Sequence, residues 1–378
     1  FLFGPRGVGK TMLSREFASK NPPSLYIDLL SYETYSRYLS SAGLFRREIE
    51  SAIKPDKILT VVIDEIQKMP VLLDEIHSLI ETYKGKVRFL LTGSSARKLK
   101  HGGANLLAGR VWTLKLHPFT HKEVDVDLFK ALRIGTLPAI YLSEDNPVRS
   151  LKAYVETYLK EEIMQEALIR KVDNYIRFLD IAGQMNGEPL NFSKLAKGCG
   201  VSVKTVQEFT QILIDTMLVF RINGWARSVR KQLLQSPKIY FFDCGILNAV
   251  RGELEIETKP SSYIFGKRFE TFVIQEIIQL SDYYECNYKM HYWRTNTGLE
   301  VDLVLSRNFT DPLIAIEIKS STSLSETDLK SLLSFKKENP DARLICLCTA
   351  PRKYLAGNIS IYPWKEGIEY ILTGQKKA

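Results

Sequence analysis

The strongest constraint on this chain is Gly4-Pro5-Arg6-Gly7-Val8-Gly9-Lys10-Thr11, which fits G-x-x-x-x-G-K-[ST]. Glycines let successive backbone N–H groups curl around an anion, and the helix that follows points its positive end at the same place. The spacing brings Lys10 to the β- and γ-phosphates of a nucleotide and the Thr11 hydroxyl into a Mg²⁺ shell. Phe1-Leu2-Phe3 reads as the end of a strand, and Met12 to Ala18 as a helix, so the flanks are those a phosphate-cradling loop needs. A chance Gly-rich turn is the competing reading, and this context disfavours it. ATP binding through Gly4, Pro5, Arg6, Gly7, Val8, Gly9, Lys10, Thr11 and Met12 is expected. The chain opens almost on the motif, without Met or a complete first strand, and reads as N-terminally trimmed.

Further strands follow. Ser24-Leu25-Tyr26-Ile27-Asp28-Leu29 is one; Ile58-Leu59-Thr60-Val61-Val62-Ile63, ending in Asp64-Glu65, is clearer. A continuous apolar run capped by acids suits a buried parallel strand, whose carboxyl end is where ligands gather. Asp64 is expected to hold Mg²⁺ through water and Glu65 to polarise the attacking water. Val87-Arg88-Phe89-Leu90-Leu91-Thr92-Gly93-Ser94-Ser95 repeats the pattern with hydroxyls at its end. Thr92 or Ser94 is a candidate γ-phosphate sensor, with a plain strand-to-turn passage as the competing reading. Arg110, in Leu106-Leu107-Ala108-Gly109-Arg110, is read either as an arginine finger serving a neighbouring subunit or as a surface ion pair.

A chain of 378 residues exceeds one ordinary core and is expected to form two or three domains. No apolar run is long enough to span a bilayer and no signal peptide is visible. Cys199, Cys244, Cys286, Cys346 and Cys348 have no zinc-like pairing and read as reduced, in a cytoplasmic protein. The net charge of +9 sits mostly in residues 1–150, with 22 Lys+Arg against 16 Asp+Glu, whereas residues 236–378 hold 18 of each. That modest surplus fits either nucleic-acid steering or ordinary solvated faces.

Taken together, G-P-R-G-V-G-K-T, V-V-I-D-E-I-Q, L-L-T-G-S-S and L-A-G-R, followed by L-H-P-F-T-H-K-E-V, resemble the prokaryotic AAA+-like P-loop ATPases. More narrowly, the chain resembles the subgroup with a C-terminal winged-helix and PD-(D/E)XK nuclease-like region. Gly135-Thr136-Leu137-Pro138, Tyr154-Val155-Glu156-Thr157-Tyr158-Leu159, Phe242-Asp243-Cys244-Gly245 and Gly266-Lys267-Arg268-Phe269-Glu270 agree with it. The resemblance covers most of the chain, and its nucleotide motifs are the specific ones. One departure is the lack of a second-sensor arginine in a helical lid, which leaves communication between nucleotide and C-terminal region open.

From Tyr175 the pattern is helix, Asn191-Phe192-Ser193-Lys194-Leu195-Ala196-Lys197, a turn at Gly198-Cys199-Gly200-Val201-Ser202, and a helix to Met217 with Ser202 as its N-cap. Leu218-Val219-Phe220-Arg221-Ile222 then reads as a wing strand. The second helix carries Lys204, Glu208 and Asp215, a net negative set that favours a protein-binding over a DNA-reading winged helix.

Asp302, in Gly298-Leu299-Glu300-Val301-Asp302-Leu303-Val304-Leu305, precedes Glu317-x-Lys319 on the next strand. Glu317 and Lys319 share a strand face. Asp302 and Glu317 are expected to share a Mg²⁺ that activates water against a phosphodiester, with Lys319 countering charge and Glu270 completing the site from a helix. Exposed strands often alternate acids and lysines, so an inactive surface is the competing reading.

The architecture expected is α/β: a parallel-sheet P-loop ATPase domain over 1–149, a helical winged-helix segment over 150–235, and an α/β restriction-endonuclease-like domain over 236–378. The function expected is an Mg²⁺-dependent ATPase whose nucleotide state controls a DNA-acting region. The alternative is a nucleotide-dependent switch with a nuclease-like protein-binding domain. ATP is the expected ligand; DNA, and a homo-oligomer or protein partner, are further candidates, and no membrane is involved.

Overall fold

The computed structural model describes residues 1–94, 111–159, 172–228, 230, 232, 235–308 and 311–374. The chain divides into two units, Phe1–His117 with Ile212–Leu218, and Pro118–Gln211 with Val219–Ala378.

The first unit runs β1 (Leu2–Phe3), α1 (Lys10–Lys20), β2 (Ser24–Asp28), α2 (Tyr32–Ser40), α3 (Ala42–Ala52), β3 (Leu59–Asp64), α4 (Leu72–Thr82), β4 (Val87–Gly93) and β5 (Leu114–Lys115). Its five strands lie in the order β2-β3-β4-β1-β5, every neighbouring pair parallel. Each residue of β3 is buried. With both faces covered, a strand needs an unbroken apolar run rather than alternation, as Leu59–Ile63 shows. Phe45 and Ile49 of α3 and Leu72, Ile76 and Leu79 of α4 pack with Val61 and Ile63 of that strand. Since β4 lies between β1 and β3, Thr92 and Ser94 stand between the phosphate-loop strand and the acid-bearing strand.

The second unit begins with α5 (Leu128–Ile134), α6 (Pro138–Tyr141) and α7 (Pro147–Ala153), then α8 (Val172–Gln184), α9 (Phe192–Cys199) and α10 (Val203–Asp215), the last of which belongs to this unit as far as Gln211. Then come β6 (Val219–Gly224), β7 (Lys238–Phe241), α11 (Cys244–Val250), α12 (Tyr263–Tyr283), β8 (Lys289–Arg294), β9 (Glu300–Ser306) and β10 (Ile314–Lys319). The chain closes with α13 (Lys330–Glu338), β11 (Arg343–Cys348), β12 (Tyr354–Ala356), β13 (Ile359–Pro363) and α14 (Trp364–Thr373). All eight strands form one mixed sheet, β12-β13-β11-β10-β9-β8-β6-β7. One core joins α12 and α14 to Leu303, Leu305, Ile314, Ile316 and Ile318. A second joins Leu332 and Phe335 of α13 to Val301, Val304, Ala315 and Leu344.

Ser202 caps α10, accepting from Thr205 N at 3.1 Å. That helix ends at Asp215, two residues short of the expected Met217, which takes a left-handed φ of 58°. The strand expected as a wing is β6. It pairs antiparallel with β7 and parallel with β8, and so is an inner strand of the large sheet rather than a free hairpin. The boundary expected at residue 235 falls inside that sheet, between β6 and β7.

Two of the sequence landmarks meet here. Asp243 caps α11, accepting from Ile246 N at 3.0 Å, and also takes Thr136 N at 2.7 Å. Gly135 leaves room for that carboxylate: it has φ +72°, and a Cβ there would lie 2.0 Å from Asp243 Oδ1. Gly245 permits the reciprocal approach, since its Cβ would stand 2.1 Å from the Ile134 carbonyl oxygen.

Candidate functional site

In the first unit the loop from Gly4 to Thr11 is shaped by its glycines. A Cβ at Gly4 would lie 2.3 Å from the Leu116 carbonyl oxygen, and Gly9, at φ +96°, sits directly before α1. Buried Lys10 donates through Nζ to the carbonyls of Gly4 at 2.8 Å and Pro5 at 2.9 Å. Arg6 and Gly7 are exposed, Val8 is buried, and Met12 is 74% exposed beyond the loop.

Asp64 ends β3 fully buried and gathers hydroxyls. Thr11 Oγ1 donates to its Oδ2 at 2.8 Å, Tyr26 OH to the same oxygen at 2.9 Å, and Thr92 Oγ1 to Oδ1. Glu65 follows at a left-handed φ of 61°, a strained setting for a residue with a side chain, and its N–H donates to Thr92 Oγ1 at 3.2 Å. Gln67 Nε2 donates to Glu65 Oε2 and to Ser94 Oγ at 3.1 Å. The structure thus brings together Lys10, Thr11, Asp64, Glu65, Thr92 and Ser94. Arg110 lies outside the described residues. Sequence reasoning missed Tyr26 and Gln67; the glutamine stood in the quoted V-V-I-D-E-I-Q run, two residues after Glu65. A carboxylate already turned towards the phosphate-loop threonine, with the loop lysine held on main-chain carbonyls, fits a nucleotide with Mg²⁺.

In the second unit Glu270 on α12, Asp302 on β9, and Glu317 and Lys319 on β10 line one cavity of about 520 Å³. Their convergence depends on a bulge. His291 pairs with Val304 but Trp293 with Val301, so Asp302 and Leu303 together face the single Tyr292. The extra residue turns Asp302 out of the ladder. Its Oδ2 accepts Ile318 N at 2.7 Å, filling the hydrogen bond the interrupted strand leaves open. Lys319 Nζ meets Glu317 Oε1 at 2.7 Å, as the strand periodicity requires, while Glu317 Oε2 is buried without a partner. Glu270 accepts Tyr240 OH at 3.0 Å through Oε1 and has Lys267 Nζ 3.6 Å from Oε2.

Burial and then the charge of Glu270 push Asp302 up from its ordinary range; burial and then the charge of Asp302 push Glu317 well up. Burial works against the charge on Lys319, but Glu317 and Asp302 more than offset it and hold the ammonium above its usual value. Among the described residues no group of three or more His, Cys, Asp or Glu is arranged to hold a metal ion. The pair Asp302–Glu317, with one carboxylate oxygen orphaned, fits a hydrated Mg²⁺ that keeps several waters.

Residues 1–125 match a family model described as an AAA domain. Residues 125–258 match a domain of unknown function, DUF8612, and residues 265–366 another, DUF4143. Uncharacterised proteins of Mycobacterium bovis (strain ATCC BAA-935 / AF2122/97) and Mycobacterium tuberculosis (strain ATCC 25618 / H37Rv) are each 26% identical over 341 residues, covering 89% of this chain and 74% of the relative. A solved structure, that of Drosophila ORC bound to AT-rich DNA and Cdc6, aligns at 14% identity over 67% of this chain and 86% of that one. Its TM-score is 0.22, too low to support an argument. Among the described residues no helix is long and apolar enough to cross a membrane. The chain therefore carries an AAA domain at its N terminus, which implies a nucleotide-binding ATPase, and a DUF4143 domain towards its C terminus.

Proposed function

We propose that this chain is an Mg²⁺-dependent ATPase whose nucleotide state controls a DNA-directed phosphodiesterase centre in its C-terminal region. In the AAA domain, Lys10 would leave the Gly4 and Pro5 carbonyls to meet the β- and γ-phosphates, and Thr11, with Asp64 through water, would hold Mg²⁺. Glu65 orients the attacking water, while Thr92 and Ser94 register the γ-phosphate. Arg110 serves a neighbouring subunit's nucleotide, which requires an oligomer.

The observation that carries the phosphodiesterase reading is the convergence of Glu270, Asp302, Glu317 and Lys319 on one cavity. Bound by Asp302 and Glu317, Mg²⁺ would supply an activated water and charge neutralisation at a phosphodiester. Lys319, kept charged by its two carboxylate neighbours, stabilises the developing negative charge. Glu270, held by Tyr240 and Lys267, orders the water on the helix side. A second reading, a nucleotide-dependent switch with a catalytically inactive C-terminal binding surface, draws support from the Lys319–Glu317 contact, which takes one oxygen a cation would use.

The test is cleavage of linear, nicked and branched DNA with Mg²⁺ or Mn²⁺, with and without ATP. Cleavage should disappear in Glu317→Gln and Lys319→Ala and change in Lys10→Ala. Glu65→Gln should lower ATP turnover by about 10²-fold while leaving ATP binding intact. ATP turnover without any DNA cleavage sinks the phosphodiesterase reading and establishes the switch.

A further inference from the structure

Four carboxylates, Glu270, Glu300, Asp302 and Glu317, line the carboxylate cavity, yet among the described residues no three acids are arranged to hold one ion. Two of the four are bound by β7. Tyr240 OH donates to Glu270 Oε1 at 3.0 Å, and Lys238 Nζ pairs with Glu300 Oε1. Both donors sit on β7 two positions apart, and so on one face of it.

These are buried contacts. Lys238 is 1% exposed and Tyr240 wholly enclosed. A lysine is almost never fully withdrawn from water without a partner, and Glu300 supplies the anion. The ammonium also lies over the Tyr292 ring, 4.9 Å from its centroid. Arg294 stands 3.6 Å from the other oxygen of Glu300. On Glu270 the second oxygen faces Lys267 at 3.6 Å, but that lysine is shared with Glu188 at 3.2 Å. Tyr240 is therefore the enclosed anchor of Glu270, and Lys238 that of Glu300.

The strand that carries them is held along both edges. On one side β7 pairs with β6. On the other, the Ile239 carbonyl accepts Gly187 N at 2.8 Å and the Pro237 carbonyl accepts Leu190 N at 2.8 Å. Phe241 N donates to Asn186 Oδ1 at 2.8 Å. Strand, donors and acids thus form one fixed arrangement.

Its consequence is a choice of ion. Mg²⁺ keeps most of its waters and needs few carboxylates, whereas Ca²⁺ takes about six to eight oxygens and gains from each added carboxylate. With Glu270 and Glu300 engaged by β7, Asp302 and Glu317 are the acids left for an ion.

We propose that Lys238 and Tyr240 are positioning residues that set the metal selectivity of this centre. By holding Glu300 and Glu270 off the ion, they leave a two-carboxylate site suited to Mg²⁺ and poor for Ca²⁺. The inference rests on the part of the proposed function in which Asp302 and Glu317 bind a divalent ion; it does not depend on cleavage.

The test titrates the full, nucleotide-free chain with Mg²⁺ and with Ca²⁺ by calorimetry. Glu317→Gln, which removes one ligand of the ion, is the blank. Tyr240→Phe deletes a single hydroxyl, and Lys238→Met puts an apolar chain in place of the ammonium. Urea unfolding shows which variants fold, and either folded variant suffices. Each should raise the ratio of Ca²⁺ to Mg²⁺ affinity about tenfold, because a freed carboxylate joins the ligand set. A general loosening of the fold weakens both ions alike and leaves the ratio where it was. An unchanged ratio in a folded variant, or one that moves towards Mg²⁺, overturns the proposal, as does a native chain that binds neither ion above the blank. A shifted ratio in a protein that never cleaves DNA leaves the proposal standing and removes the phosphodiesterase reading. Cleavage in Mg²⁺ with a ratio indifferent to both substitutions does the reverse.

Discussion

Asp243 ties the loop at Gly135–Leu137 to the start of α11, and its carboxylate accepts from backbone N–H groups on both. Burial is the largest influence on it and pushes its carboxyl up to about 6 from an ordinary 3.8, against the donors from Thr136, Ile246, Gly245 and Leu137. A carboxyl whose folded value is raised binds its proton more tightly in the folded chain. The stability tied to that proton is complete below about pH 4 and is lost as pH rises through 6, an amount of about 3 kcal/mol. Urea unfolding at pH 4.5 and pH 7 should show about 2 kcal/mol of this loss in the native chain, and Asp243→Asn should remove that part of the pH dependence. The amide can accept but cannot serve every donor, so Asp243→Asn should also cost about 1–3 kcal/mol at neutral pH. Gly135→Ala should cost more, since it adds a left-handed penalty of about 1–2 kcal/mol to a collision with the same carboxylate. An unchanged unfolding midpoint in Gly135→Ala would refute this account of the knot.

Ser262 starts α12, accepting Phe265 N at 3.1 Å, and the same residue lines the carboxylate cavity. Ser262→Ala should lower stability by about 1 kcal/mol, measured by thermal or urea unfolding, because a helix N terminus loses its cap. The helix itself was legible in the sequence, since Phe269, Phe272, Val273, Glu276 and Ile277 repeat at helical spacing. So was the phosphate loop, where local backbone geometry dictates glycine, and so was β3, where double-sided burial dictates an unbroken apolar run. What escaped depends on strand partners. The alternation in β9 puts Val301, Leu303 and Leu305 on one face, yet Val301 packs with Val304 in one core and Leu303 with Leu305 in the other. Only the count of residues on β8 reveals the bulge that divides them. The place of β6 in the sheet was hidden for the same reason, since nothing within 219–224 names β8 as its neighbour. Tyr26 and Gln67 escaped because their partners Asp64 and Ser94 are 38 and 27 residues away along the chain.

On the scale of the whole molecule, nucleotide chemistry and carboxylate chemistry belong to different sheets, one all-parallel and one mixed. Each has its own apolar core. Calorimetry should therefore resolve more than one unfolding transition. ATP with Mg²⁺ at about a hundredfold excess over its dissociation constant should raise one of them by about 2.7 kcal/mol, and Lys10→Ala should abolish that rise. A single transition, or several of which none responds to nucleotide, would contradict the assignment of the phosphate loop to an independently stabilised core. The bulge at Asp302–Leu303 carries a further consequence for how such a chain can change. Side chains along a strand obey an odd–even rule, and the bulge inserts a single step of the opposite parity between Val301 and Val304. Gains or losses of two residues within β9 preserve the sorting of its side chains, whereas a change of one sends either the valines or the carboxylate to the wrong side. The site is thus guarded by arithmetic as much as by contacts.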